Sequence, residues 1–182
     1  MRVSEQEYRQ LALEEGDRIW ELHDGELVEK PPMAFAHGEI LEELGHVLRL
    51  QLGRERYRVR VNTGRVQHTS SYYVPDLYVL PIELTASYRE APDALEVYDQ
   101  PLPLVVEAWS PSTGRYDIEE KLPEYQRRGD LEIWRIHPYE RTLTVWRRQP
   151  DGRYTETVER GGVIRPAALP GVAIDLDAHF GD

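Results

Sequence analysis

Two acidic residues lie in segments of the chain that are otherwise apolar. Asp76 follows Pro75 and precedes an apolar stretch, and Glu107 follows the apolar run 104–106. A carboxylate inside an apolar strand costs free energy unless a partner neutralises it. Two carboxylates about 4 Å apart repel each other by roughly 4 kcal/mol at an effective dielectric near 20. If the two strands are neighbours, the pair needs a cation or a shared proton, and carboxylate oxygens suit Mg²⁺ or Mn²⁺.

Each of these acids also has a plainer interpretation. Asp76 can end a strand or cap a turn, and Glu107 can form a buried ion pair with one of the many arginines. The sequence does not decide between these alternatives for either residue alone. The occurrence of both acids favours the metal site.

Lysine is rare in this chain, which has 20 arginines but only Lys30 and Lys121. The amine of a lysine can shift its pKa and position a water, whereas a guanidinium stays charged. The retention of lysine at position 121, in a chain that otherwise uses arginine, is a hint that Lys121 is a catalytic residue. The alternative is a solvated lysine on a helix face.

Local signals define the N-terminal elements. Ser4 and Glu7 have the spacing of a capping box and predict a short helix. Asp24-Gly25 predicts a tight hairpin between strands Ile19–His23 and Glu26–Lys30, because both residues tolerate positive φ. Apolar residues at steps of three and four predict an amphipathic helix over residues 36–52.

In the middle of the chain, arginines alternate with other residues at the two-residue period of a strand. Arginines at every second position of residues 54–60 predict a strand with one arginine face, which either follows a nucleic-acid backbone or is solvated. Two further strands are predicted over 72–80 and 102–109, the latter apolar enough to be central. Asp117 and Glu120 predict a capped helix, although Pro123 favours a regular start near Pro123 itself.

Strand-like segments continue to the C-terminus, with a hairpin through residues 138–141. The fold class is therefore α/β (α+β), with a mixed central sheet flanked by helices. We expect a single domain over residues 1–182. Its parts are an N-terminal helix and hairpin (1–32), a core (36–148) and C-terminal strands with a short helix (149–182).

Composition excludes several classes of protein. The net charge of −11 rules out a nucleic-acid surface that covers the whole molecule, so any such site must be local. The absence of cysteine removes disulfides, Cys-ligated metals and Cys nucleophiles. The first ten residues lack an apolar signal core, and no apolar run approaches the roughly 20 residues of a membrane span, so we expect a cytoplasmic protein.

A family resemblance rests on motifs along nearly the whole chain. These are WELHDGELVEKPP at 20–32, VPD at 74–76, LVVEAWSPST at 104–113, DIEEKLPEYQRRG at 117–129 and LEIWRIHP at 131–138. Their order and spacing resemble the Uma-type endonuclease family, a bacterial branch of the PD-(D/E)xK restriction-endonuclease-like superfamily. The resemblance implies a mixed four-stranded sheet with flanking helices and hydrolysis of phosphodiester bonds.

The resemblance also implies a set of site residues. Asp76 and Glu107 would hold Mg²⁺ or Mn²⁺, and the backbone carbonyl of Ala108 would complete the coordination. The simplest superfamily motif has lysine where this chain has Trp109, and Lys121 is the matching position of a displaced lysine. Accessory residues with weaker support are Glu21, Glu26 and His37.

The leading functional hypothesis is a metal-dependent endonuclease that hydrolyses DNA. DNA rather than RNA is implied by the resemblance alone. One alternative is a non-catalytic binding or assembly module that retains the nuclease fold, and another is a metal-dependent phosphoesterase acting on a small substrate. Nucleases of this superfamily often pair to cut two strands, so the resemblance is compatible with a homodimer.

Overall fold

The computed structural model describes residues 1–181 of the 182-residue chain. Asp182, the last residue of the predicted C-terminal part, lies outside the described residues. The elements follow in the order α1 (Glu5–Glu14), β1 (Ile19–His23), β2 (Glu26–Lys30), α2 (Phe35–Gln51), β3 (Tyr57–Val61), β4 (Arg65–His68), β5 (Ser71–Tyr73), β6 (Leu77–Pro81), a 3₁₀ helix (Ile82–Tyr88), β7 (Val97–Tyr98), β8 (Leu104–Ala108), α3 (Gly114–Tyr116), a π-helical turn (Asp117–Lys121), α4 (Leu122–Arg128), β9 (Glu132–His137), β10 (Thr142–Arg148), β11 (Tyr154–Glu159), β12 (Val163–Ile164), β13 (Ile174–Asp175) and α5 (Leu176–Phe180).

A mixed six-stranded sheet of order β11-β10-β9-β8-β6-β3 forms the centre of the described residues. Its strands are antiparallel except for the parallel pair β8 and β9. Every residue of β8 is buried, as its continuous apolar run predicts. The sheet has two strands more than the four that the family resemblance implies.

Both faces of this sheet are covered. Leu77, Val79, Leu104 and Val106 share one apolar cluster with α2 and the C-terminal segment. The alternate residues Tyr78, Leu80 and Val105 share a second cluster with Tyr125 of α4. Glu107 lies two residues after Val105 and therefore faces α4.

The predicted N-terminal hairpin is present and belongs to a second sheet of order β2-β1-β5-β4-β7. Asp24 and Gly25 adopt φ of 46° and 81°, as a tight turn requires. The capping box of Ser4 and Glu7 is also formed and starts α1.

The predicted single strand over 72–80 is wrong, because the chain divides there into β5 and β6. β5 pairs in the second sheet and β6 in the six-stranded sheet. Pro75 lies at the break, where its missing N–H cannot support a continuous ladder. Asp76 therefore lies where the chain passes from one sheet to the other.

The helix cap predicted at Asp117 is wrong, whereas the alternative of a regular helix that begins near Pro123 is confirmed by α4, which begins at Leu122. Helical structure begins at Gly114, and the Asp117 N–H donates to the carbonyl of Thr113 at 2.9 Å. The turn Asp117–Lys121 is π-helical, and Leu122 N–H donates to the carbonyl of Asp117. This wider turn precedes Pro123, which has no N–H and whose ring crowds a regular helix.

The arginine strand is shorter than predicted. Arg54 and Arg56 lie in a turn, in which Arg56 N–H and Tyr57 N–H both donate to Gly53. Only Arg58 and Arg60 belong to β3. No helix within residues 1–181 combines the length and apolar character that a membrane crossing needs.

Candidate active site

Glu107 lies in β8, and Asp76 lies immediately before the neighbouring strand β6. β6 pairs antiparallel with β8, and Leu77 is opposite Val106. The next step of this register puts Asp76 opposite Glu107. Both residues are buried, with 2% and 4% of their surface exposed. The Ala108 N–H donates to Asp76 Oδ2 at 2.7 Å and fixes the orientation of this carboxylate.

The ammonium of Lys121 lies among three carboxylates. Its Nζ is 3.0 Å from Glu21 Oε1, 3.3 Å from Glu107 Oε1 and 3.5 Å from Asp117 Oδ1. Tyr125 donates its hydroxyl to Glu107 Oε1 at 2.6 Å. The structure thus places the Lys121 ammonium beside Glu107. The simplest superfamily motif would have a lysine two residues after Glu107, but this chain has Trp109 there.

A second lysine, Lys30, lies on the other side of the site. Its Nζ is 2.7 Å from Asp76 Oδ1, and it donates to the carbonyl of Val74 at 2.7 Å and to Asn62 Oδ1 at 2.8 Å. The sequence analysis did not nominate Lys30. The rarity of lysine applied to Lys30 as much as to Lys121, and both lysines of the chain lie in this cluster.

Of the three accessory residues, His37 and Glu21 belong to the cluster and Glu26 does not. His37 Nε2 lies 3.0 Å from Asp76 Oδ2, at the start of α2. Glu21 joins through Lys121 and accepts the Val74 N–H at 2.8 Å. Glu26 does not join: it begins β2, at the opposite end from Lys30, and forms an exposed ion pair with Arg2.

The buried charges of this cluster do not balance. Four carboxyl groups face two ammonium groups, and His37 and Tyr125 also contact them. The acids are Glu21, Asp76, Glu107 and Asp117, and the ammonium groups are those of Lys30 and Lys121. An excess of buried negative charge attracts a cation.

The two central carboxylates differ in their electrostatic environment. Burial opposes ionisation of Asp76, but Lys30, His37 and Lys121 hold its pKa well below the ordinary range. Burial raises the pKa of Glu107 well above its ordinary value, and Lys121 only partly offsets this effect. Burial, partly offset by Lys121, also raises the pKa of Asp117. A cation near Glu107 would therefore favour a carboxylate that the protein alone stabilises poorly.

Lys121 is charged in this arrangement. Burial lowers its pKa, but Glu107, Glu21 and Asp117 outweigh burial and leave the pKa well above the ordinary value. The free amine that the sequence analysis considered as a water-positioning group is thus disfavoured. Lys121 instead supplies a fixed positive charge.

Several polar atoms of the cluster lack a hydrogen-bond partner. They are His37 Nδ1, Asp76 Oδ1 and Asp117 Oδ1. The contact of Asp76 Oδ1 with Lys30 is therefore an ion pair without the geometry of a hydrogen bond. Beside these atoms is a cavity of about 20 Å³, bordered by Lys30, Pro31, Met33, Asp76, Glu107, Asp117 and Lys121 among others. Roughly 10–15 Å³ is enough for one water, so the cavity admits a single water or ion.

The chemistry of these donors fits a hard divalent cation. Asp76 and Glu107 offer carboxylate oxygens, and Asp76 Oδ1 and Asp117 Oδ1 lack hydrogen-bond partners. Within residues 1–181, no three His, Cys, Asp or Glu side chains are already arranged around one metal position. Side chains must therefore move when a metal binds. The expected role of the Ala108 carbonyl stays a prediction.

Comparisons with known proteins bear on the family and the fold of this chain. The family model described as "Uma2: Putative restriction endonuclease" matches residues 5–177. Among solved structures, the chain is similar to a putative nuclease belonging to DUF820 from Anabaena variabilis. The TM-score is 0.79 at 19% sequence identity, over 98% of this chain and 97% of that one. At this identity the similarity shows a shared fold. No curated protein matches the chain.

Proposed function

The chain belongs to the Uma2 family, and we propose that it is a metal-dependent endonuclease that hydrolyses phosphodiester bonds in DNA. One observation carries this proposal: Asp76, immediately before β6, lies opposite Glu107 of the neighbouring strand β8, with the Lys121 ammonium 3.3 Å from Glu107. This arrangement combines two carboxylates that could hold a metal with a fixed cation. Both features would favour phosphodiester hydrolysis, because negative charge develops on the phosphoryl oxygens.

Asp76 and Glu107 would hold Mg²⁺ or Mn²⁺, and the Ala108 carbonyl would complete the coordination. When bound, such an ion polarises a phosphoryl oxygen and lowers the pKa of a coordinated water. Lys121 offers its ammonium to negative charge that develops beside Glu107. His37 and the Ala108 N–H orient Asp76 by contacting its Oδ2.

Arginines at one surface of the protein support a nucleic-acid substrate. Arg49, Arg54 and Arg58 border a cavity of about 370 Å³ at the Tyr57 end of β3. Within residues 1–181 none of the three forms an ion pair with an acid. Tyr57 pairs with Pro81, the far end of β6 from Asp76, so the surface lies about 17 Å along the sheet from Asp76. We propose that it contacts the phosphate backbone of DNA.

Metal binding and cleavage test the proposal together. Mn²⁺ should bind the metal-stripped wild type in calorimetry and should bind Asp76→Asn and Glu107→Gln at least about 100-fold more weakly. Cleavage of plasmid DNA in Mg²⁺ or Mn²⁺ should fall in parallel. Glu26→Gln is the matched control, because Glu26 lies outside the cluster. Wild-type cleavage by Glu107→Gln would disprove the assignment.

A non-catalytic binding module is the second candidate. The ion pair of Lys30 with Asp76 favours it, because Lys30 already supplies a cation to this carboxylate. This candidate predicts DNA binding without Mn²⁺ binding. The small-substrate phosphoesterase has less support, since the cavity of about 20 Å³ cannot enclose a phosphorylated molecule. Cleavage of mononucleotides but not of oligonucleotides would reverse that order.

A further inference from the structure

Lys30 is held by three oxygens from separate segments of the chain. Its ammonium contacts Asp76 Oδ1, the Val74 carbonyl and Asn62 Oδ1, all within 2.8 Å. An ammonium has three donors and takes a position much as a small cation does. Only 7% of the Lys30 side chain is exposed. Lys30 is therefore a built component of the site and not a surface residue that happens to reach it.

The two oxygens of Asp76 have different partners. Oδ2 is occupied by the Ala108 N–H and by His37 Nε2, whereas Oδ1 faces Lys30. In two-metal sites the ions lie about 3.5–4 Å apart, which requires ligands shared between them. Asp76 Oδ1, which would face one of two such cation positions, is already paired with the Lys30 ammonium.

The remaining space fits one ion. The cavity of about 20 Å³ touches Lys30, Asp76, Glu107 and Lys121. That volume is only slightly larger than the roughly 10–15 Å³ that one water molecule needs. A second divalent ion would have to displace Lys30 from its three oxygens or approach the ammonium against charge repulsion.

Resting on the proposed function, we infer that Lys30 permanently occupies one of two cation positions around Asp76, so that the protein binds a single divalent ion. Lys30 thereby acts as a positioning residue for Asp76 and limits the metal stoichiometry. The inference concerns Lys30 of this chain and is separate from the role proposed for Lys121.

Metal stoichiometry tests this inference in the full-length protein at one fixed pH. Calorimetry with Mn²⁺ should give one ion for the wild type and two for Lys30→Met, which keeps the length of the side chain without its charge. The first ion should also bind Lys30→Met about tenfold more tightly or better, because a neighbouring positive charge is removed. Electron paramagnetic resonance should show an isolated Mn²⁺ in the wild type and a coupled pair in Lys30→Met. Lys30→Arg, which keeps the charge, should bind one ion.

The outcomes separate this inference from the proposed function. Two ions in the wild type would overturn the inference without any substitution, even if Lys30→Met failed to fold. One ion in both proteins with equal affinity would also overturn it, while the metal site would stand. Binding to Lys30→Met but not to the wild type would support Lys30 as the resident cation and would overturn the proposed metal dependence. No binding to either protein would overturn both.

Discussion

Two clusters of buried charge in this molecule differ in how completely they are neutralised. Arg128 and Asp130 have fully buried side chains and form an ion pair of 3.0 Å. Asp130 Oδ1 also accepts the Leu102 N–H at 2.7 Å. Every guanidinium nitrogen of Arg128 donates a hydrogen bond, including bonds to the backbone carbonyls of Gln67, Tyr98 and Gln100. One positive charge meets one negative charge, and no partner is missing.

The candidate active site contains more charge and fewer completed bonds. Four carboxylates face two lysines, and polar atoms of His37, Asp76 and Asp117 lack partners. Buried charge is thus not by itself a sign of function. The ion pair of Arg128 with Asp130 is buried, yet its charges balance and its hydrogen bonds are complete, so it needs no role beyond a structural one. Unbalanced charge together with unsatisfied atoms distinguishes the site.

The largest expected effect is on stability and concerns the complete cluster. Arg128→Met should lower the free energy of unfolding by about 3–5 kcal/mol, because Asp130 is left buried and unpaired. Urea denaturation would measure the change. The control is Arg127→Met, in which the neighbouring exposed arginine loses only its pair with Glu124. Arg127→Met should cost less than about 1 kcal/mol. A mild effect of Arg128→Met would remove the distinction between the two clusters.

Two buried glutamates on adjacent strands give the next contrast. Glu107→Gln removes one of several like charges, so the metal-free protein should keep its stability or gain about 1 kcal/mol, while Mn²⁺ affinity falls. Glu132 is equally buried, but it accepts bonds from Arg147, Trp134 and the Ala167 N–H.

Glu132→Gln should therefore destabilise the protein by about 1–3 kcal/mol and leave Mn²⁺ binding unchanged. Chemical denaturation and calorimetry on the two variants measure both quantities. If Glu107→Gln were the less stable of the two, the excess of negative charge at the site would not be what the structure indicates.

Arginines outside the two buried clusters should affect DNA affinity without affecting either cluster. Replacing both Arg54 and Arg58 with Gln should raise the Kd for DNA by about tenfold at low salt and reduce the salt slope by about one per arginine. Mn²⁺ affinity should not change. The matched control is Arg153→Gln, because Arg153 is exposed but paired with Asp151. Fluorescence anisotropy at several salt concentrations measures both effects, and equal slopes in all three proteins would exclude this surface.

Sequence reasoning predicted elements whose signals are local. The Ser4 capping box, the Asp24-Gly25 turn and the apolar periodicity of α2 each depend on residues close in the chain. The short strand β7 was not predicted, because it forms only by pairing with the distant β4. β4 was missed although it forms a local hairpin with β5, in which His68 is opposite Ser71. The break between β5 and β6 was missed because two sheets compete for one apolar stretch.

The candidate site was predictable where charge interrupts an apolar strand. Asp76 and Glu107 met that criterion, and the rarity of lysine pointed to Lys121. Lys30 was missed because it ends an ordinary strand before two prolines, and only tertiary structure brings it to Asp76. The Asp117–Glu120 spacing wrongly predicted a helix cap, whereas Pro123 correctly predicted that the regular helix begins near it.

His179 tests whether unsatisfied atoms alone signify function. Both of its ring nitrogens lack partners, and it lies beside Glu39 and Glu43 of α2, away from the carboxylate cluster. Burial lowers the pKa of His179, and Glu43 opposes the effect only in part. The unfolded chain therefore binds this proton more tightly than the folded protein, so stability is lost as the pH falls below about 6.5 toward the lowered pKa.

His179→Phe should remove that loss, which cannot exceed about 1.4 kcal/mol per pH unit because one proton is involved. Urea denaturation of both proteins at pH 7.5 and 5.5 measures the difference, and Mn²⁺ affinity at pH 7.5 should be equal. Equal pH dependence of the two proteins would show that His179 does not titrate differently on folding. Altered Mn²⁺ binding would show that an unsatisfied histidine outside the cluster contributes to the site, and charge imbalance would then lose its value as the distinguishing feature.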